Sequence, residues 1–154
     1  MKEQRYVRDV MITKFTSFRA DMDVYAAIKT IIDKGLMGAP VVDANDKLIG
    51  VFSEKDAFKV MANWTFEMGN ETGGTVGIHM TTEVTTVDAD VDLASLVSMF
   101  LSSWFRGLPV SKDGVLVGLV SRRDVLKGMD QLAKKENSER FAQDKYAASI
   151  PGIT

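Results

Sequence analysis

A serine followed three residues later by an aspartate occurs twice where chemistry could be done: Ser53 with Asp56 in "GVFSEKDAFKVM", and Ser121 with Asp124 in "GLVSRRDVLKGM". At the opening of a helix such a pair can close a capping box. The serine oxygen then accepts the N3 backbone N–H, while the acid reaches back to the cap. That arrangement contributes about 1 kcal/mol. The same pair can also serve a ligand, with the carboxylate accepting hydrogen bonds from two vicinal hydroxyls and the helix start receiving an anion. Glu is the usual box acid, yet both copies carry the shorter Asp. Arg122 and Arg123 in one copy, and Lys55 in the other, stand in the first helical turn. A cation there opposes the helix dipole at a cost of roughly 0.3–1 kcal/mol. Cations so placed suit a bound anion better than a bare cap. An acid for a diol, beside a helix start and basic side chains for a phosphate, is what a ribonucleotide requires.

The two stretches belong to a longer repeat. Gly50, Ser53, Asp56, Lys59 and Met61 recur as Gly118, Ser121, Asp124, Lys127 and Met129 at a constant offset, 118 − 50 = 68. Upstream, Met11, Thr13, Thr16, Ala20, Asp21 and Asp23 match Met80, Thr82, Thr85, Ala89, Asp90 and Asp92, now at 80 − 11 = 69. Gly38, Pro40 and Val41 match Gly107, Pro109 and Val110 at that same offset. The change of one residue falls between "VVDANDKLIG" and "VSKDGVLVG", where a hairpin turn can shorten without disturbing its strands.

Each copy reads as a short strand, a helix, a hairpin and a second helix. In the first, "TSF" is a β-type run and "ADMD" opens a helix with acidic residues in its first turn. Val24, Ala27, Ile28, Ile31 and Ile32 fall at helical spacing, and Gly35 ends the helix. The run "APVVD" pairs with "KLIGVF" across "ANDK", and Ser53 opens the second helix over "EKDAFKVMANWTF". In the second copy the helices are expected over 91–103 and from 122 to about 132. These readings give an α/β (α+β) fold of two β-α-β-β-α units, 6–61 and 76–130. A segment 62–75, ending in the glycine-rich "EMGNETGGT", joins them. The charged tail 131–154 is expected to be a surface helix with a frayed end. Neither unit is large enough to bury its apolar strands alone, so the two should pack face to face.

Composition excludes several function classes. The chain has 154 residues, 45% hydrophobic and 26% charged, with a net charge of −2 and a pI near 5.4. No basic stripe is present, so a nucleic-acid partner is not expected. The absence of cysteine removes disulfides, zinc-thiolate sites and thiol catalysis. His79, the single histidine, cannot build a histidine-rich metal site; it could approach a phosphate, but reads first as a surface or linker-packing residue. No apolar run approaches the roughly 18 residues of a membrane span, so the reading is cytoplasmic, with no membrane partner. The carboxylates show no catalytic or metal-binding spacing. The chain is therefore read as a non-enzyme requiring no cofactor. Trp64, Phe66, Trp104 and Phe105, at helix ends, read as core or interface residues suited to a dimer surface.

The doubled pattern resembles a pair of cystathionine-β-synthase (CBS) domains. The residues that carry the resemblance are "VRDVMITKFTSF" with "GIHMTTEVTTV", "MGAPVVD" with "RGLPVSKDG", and "LIGVFSEKDAF" with "LVGLVSRRDVL". They cover residues 6 to 130. The resemblance implies two units whose sheets pack about a pseudo-two-fold axis, leaving two clefts for adenosine derivatives. It implies that Asp56 and Asp124 hold ribose, and that Ser53, Lys55, Ser121, Arg122, Arg123 and Arg106 serve phosphate. Met37, Gly38, Ala39 and Pro40, with Gly107, Leu108 and Pro109, would frame the adenine. Thr13, Phe15 and Thr16, with Thr82, Val84 and Thr85, would form the opposite walls. The second copy carries more positive charge, Arg106, Arg122 and Arg123 against Lys55 offset by Glu54, so a phosphate-bearing ligand should prefer the site around Asp124. The implied function is a stand-alone, non-catalytic regulator sensing AMP, ADP, ATP, S-adenosylmethionine or NAD. It would act as a homodimer through the helices of its units, on an unknown protein in trans. The alternative is a ligand-free dimerisation or scaffold module whose Ser-x-x-Asp pairs only cap helices.

Overall fold

The computed structural model describes residues 4–66 and 73–150. Residues 67–72 of the expected linker, and 151–154 of the tail, lie outside the described residues. In chain order the elements of the first half are α1 (Val7–Val10), β1 (Phe18–Arg19), α2 (Val24–Lys34), β2 (Gly38–Val42), β3 (Leu48–Ser53) and α3 (Glu54–Phe66). The second half repeats them as α4 (Val76–His79), β4 (Val87–Asp88), α5 (Leu93–Leu101), β5 (Gly107–Lys112), β6 (Val115–Ser121) and α6 (Arg122–Ser149). They form two three-stranded sheets, β1-β2-β3 and β4-β5-β6, with the β-α-β-β-α order of the sequence reading.

Local chemistry places the helix ends. Asp23 precedes α2, and its carboxylate accepts the Ala26 N–H at 3.0 Å. Asp23 is thus the cap residue, with Asp21 before it, and neither is a member of the first turn as expected, because aspartate satisfies helix-start N–H groups best from a non-helical position. Gly35 closes α2 in the left-handed region, at φ 62°. Asp92 caps α5 in the same way, through the Ser95 N–H. That helix is shorter than the expected 91–103, since the Ser102 and Ser103 hydroxyls turn back onto the carbonyls of Ser98 and Met99 and satisfy them there. By contrast α6 runs unbroken through 28 residues, joining the helix expected to end near 132 to the surface helix expected of the tail. No glycine or proline interrupts 132–149, so the tail simply continues the helix.

Each sheet pairs its first two strands in parallel and its last two antiparallel. The register sets Gly38 opposite Ser53 and Gly107 opposite Ser121, which brings the mouth of β2 or β5 beside the Ser-x-x-Asp turn. In the second hairpin Lys112 faces Val115 across Asp113 and Gly114, both at positive φ, the requirement of a two-residue turn. The first hairpin needs a longer turn, Asp43 to Lys47, with Asp46 at φ 59°. This is the residue by which the two halves differ in length.

The one-turn helices α1 and α4 are absent from the sequence reading, and they cross over. Val7, Val10 and Met11 pack into the core of the second half with Val87, Leu96, Val110 and Val120. Val76 and Met80 pack into the core of the first with Phe18, Ile28, Val41 and Phe52. So short a helix survives because its neighbour takes up its free N–H groups: Val7 and Arg8 donate to the carbonyls of Val91 and Ala89, and Val76 and Gly77 to those of Met22 and Ala20. Beyond each helix the chain lies across the other half's last strand, in the bridges Ile12–Leu119 and Thr81–Val51. Gly118 and Gly50 make this possible. A Cβ on either would stand 2.7 Å from the sulfur of Met11 or Met80 and 2.9 Å from the carbonyl oxygen of Ile12 or Thr81. Equivalent residues also meet one another, Lys47 with Val115 and Met37 with Arg106, which marks the pseudo-two-fold axis. Each core therefore borrows the other unit's leading segment.

Candidate ligand site

Each Ser-x-x-Asp turn follows directly from the last strand of its sheet. In the second half the Ser121 N–H and hydroxyl both donate to Asp124 Oδ2, at 2.8 Å, and the Ser121 oxygen accepts the Asp124 N–H at 3.2 Å. In the first half Ser53 serves Asp56 Oδ2 at 2.9 Å through both groups and accepts its N–H at 3.1 Å. Both turns are thus complete capping boxes. The serine protons point at the carboxylates, so either hydroxyl must turn away from its aspartate before it can donate to a phosphate.

The two carboxylates differ beyond that point. Asp56 is 7% exposed, and the Thr81 hydroxyl, arriving from the second unit, donates to Oδ1 and Oδ2 at 3.3 Å. Asp124 is only half-buried, and among the described residues its carboxylate is bonded by Ser121 alone. The residue equivalent to Thr81 is Ile12, bridged to Leu119 as Thr81 is bridged to Val51, and it has no hydroxyl to offer.

Among the residues expected to serve phosphate, Arg106 stands at the mouth of β5, its carbonyl accepting the Arg122 N–H at 3.1 Å and its guanidinium reaching the Met37 sulfur at 4.0 Å. Arg123 and Lys55 are exposed in the first turns of α6 and α3. The Arg122 guanidinium instead turns outward, donating to the Ser103 carbonyl at 3.2 Å. Among the base-framing residues, Met37, Gly38 and Gly107 line the strand mouths. Pro40 and Pro109 are buried within the strands, and Ala39 and Leu108 give their side chains to the two cores, leaving only their main chain for a base. Thr82 and Val84 come to lie beside the first unit's β3, in a recess of about 250 Å³ with Leu48, Ile49 and Gly50. Thr85 and Thr13 are exposed, Phe15 is half-buried, and Thr16 accepts a hydrogen bond from Lys34. Sequence reasoning missed Thr81 and Ile12. A larger groove of about 610 Å³ lies on the outer face between α5 and α6, away from both carboxylates. His79 lies 2.6 Å from the Gly73 carbonyl, the linker-packing one of the two placements expected of it. The aromatics lie outside the core: Trp104 is fully exposed and Trp64 rests edge-on against Tyr25.

Comparison with known proteins agrees with this architecture. The CBS domain model matches the chain twice, over residues 7–63 and 74–130. The crystal structure of CBSX2 from Arabidopsis thaliana in complex with AMP has a TM-score of 0.71 and 26% sequence identity, covering 83% of this chain and 98% of that one. Among curated sequences, an uncharacterized Methanocaldococcus jannaschii protein, MJ1225, is 27% identical over 121 residues. An inosine-5'-monophosphate dehydrogenase of Nitrosopumilus maritimus is 29% identical over 122 residues. This chain spans 41% and 24% of the lengths of those two proteins. Among the described residues no helix is long and apolar enough to cross a membrane.

Proposed function

The chain belongs to the CBS-domain family, with two copies of the domain, and on that premise we propose that it is a non-catalytic regulatory module that binds an adenosine-type ligand, AMP first among them, around Asp124. The observation that carries this reading is the half-open Asp124 carboxylate, with Oδ1 unclaimed among the described residues, on the same turn as Arg123 and beside Arg106. A ribose diol would use the open face of the carboxylate, and a phosphate would meet the helix start and its basic side chains. The crystallised complex of CBSX2 with AMP supports the ligand class. Regulation would follow from a ligand whose affinity differs between two relative settings of the units, since only differential affinity shifts such an equilibrium.

The test is the thermal midpoint of the protein with AMP, ADP, ATP, S-adenosylmethionine and NAD, guanosine compounds serving as controls. A ligand at a hundred times its dissociation constant adds about 2.7 kcal/mol, a rise of several degrees for a chain this size. The rise should vanish in Asp124→Ala. A second reading, a scaffold whose turns only cap helices, draws on the completed boxes themselves. It predicts no shift with any compound and a loss of about 1 kcal/mol in the same variant.

We also assign homodimerisation to the helical face. Ile32, Phe58 and Met61 on the first unit are exposed at the positions equivalent to the exposed Leu101, Leu126 and Met129 on the second. A face that repeats about its own two-fold suits an isologous contact with a second copy. Light scattering should report a dimer, and Leu126→Asp should give a folded monomer. A wild-type monomer at micromolar concentration would refute the assignment.

A further inference from the structure

We infer that the equivalent residues Thr81 and Ile12 decide which of the two carboxylates is open to a ribose, so that the chain takes one nucleotide and not two. This rests on the nucleotide reading of the Asp124 site. In both turns serine already claims Oδ2. A diol must therefore reach Oδ1 to hold the carboxylate with two hydroxyls. At Asp56 the Thr81 hydroxyl already does so, spanning both oxygens at 3.3 Å, and it comes from the other unit as a ligand hydroxyl would. Thr81 thus stands in for a ligand hydroxyl. The resulting strut ties the Ser53 turn to the leading segment that crosses β3, and Asp56 is nearly sealed from water. At Asp124 the crossing residue is Ile12, which has no hydroxyl, so that Oδ1 is unclaimed among the described residues, and its apolar side chain is 43% exposed. The surroundings differ in the same direction. Met37 stands where the second unit has Arg106, and Glu54 where it has Arg122.

Thr81 and Ile12 are specificity-determining residues in this account, and exchanging them should exchange the sites. Calorimetric titration of the full chain with AMP as the probe should give one site per chain in the wild type. Thr81→Ile should add a second, and Asp56→Asn on that background should remove it. Ile12→Thr should weaken the original site about tenfold, since the ligand must then displace a hydroxyl bonded to a charged group. Two equal sites in the wild type, or a folded Thr81→Ile that still takes one AMP, would overturn the inference. A separate readout needs no ligand. Thr81→Val should cost stability in the wild type and nothing further in Asp56→Ala, whereas Ile12→Val and Asp124→Ala should add. Additivity at Thr81 and Asp56 would overturn the strut whatever AMP does. Failure of every variant to bind AMP, with the coupling intact, would refute AMP as the ligand of the Asp124 site, and the claim of one AMP per chain with it, while leaving the strut.

Discussion

The two halves of the molecule share the crossing glycine, the capping box and the strand register, and they differ around the two carboxylates. Gly50 and Gly118 accept the same crossing segment at the same distances. The capping boxes at Ser53 and Ser121 agree to within about 0.1 Å in each bond. Yet Asp56 is sealed and held by Thr81, while Asp124 is half-open beside Arg106. A duplicated fold must keep the glycine, the cap and the register in both copies, because each unit completes the other's core. It need not keep two working sites. Where the copies diverge is therefore the better guide to function, and where they agree is the better guide to architecture.

The largest effects should come where the halves agree. Gly50→Val and Gly118→Val each drive side-chain atoms into a neighbouring backbone carbonyl, and each should cost about 3 kcal/mol in chemical denaturation. A large inequality between the two would break the scaffold half of the comparison. Next in size is the inequality expected of the caps. Asp56→Ala should cost about 2 kcal/mol, losing both the box and the Thr81 bond, and Asp124→Ala about 1 kcal/mol, losing the box alone. Equal costs would mean that the Thr81 contact contributes nothing.

The smallest effect concerns how the one-turn helices dock. Asp90 joins Lys112 and Arg8 of α1, and the hydrogen bond from Lys112 holds its carboxyl below the ordinary value of 3.8, with the Arg8 charge adding to it. Because that value is lowered on folding, its stabilisation is present at neutral pH and disappears as pH falls through the folded value. In the first half Gly77 occupies the place of Arg8, so no such pair can form there. Acid should therefore lower the hydrogen-exchange protection factors, taken against the intrinsic rate at each pH, at Val7 and Arg8 more than at Val76 and Gly77, and Asp90→Asn should remove the difference. An equal fall at both would assign the acid response elsewhere.

Much of this was legible in the sequence because the repeat is written in residues with narrow structural roles. Gly-x-x-Ser-x-x-Asp marks a strand running into a helix, and the Asp-Gly pair after Lys112 marks the shorter hairpin. The helices α1 and α4 were not legible, since four residues carry no periodicity and are held by carbonyls of the opposite unit. The helical tail was legible, but its unbroken join to the helix before it was not: the distal half of α6 is charged all round and carries no apolar face that would continue the preceding stripe. The role of Thr81 needed the crossover as well as the motif. Its signal was nonetheless present, as one mismatch, Ile12 against Thr81, between the matched pairs Met11–Met80 and Thr13–Thr82.

An NMR titration with AMP that follows the backbone amides of Ser121 to Asp124 and of Ser53 to Asp56 compares the two turns in one experiment. The account predicts saturable shifts in the Ser121 turn, with the Ser53 turn unmoved. Shifts confined to the Ser53 turn, or in neither, would contradict it.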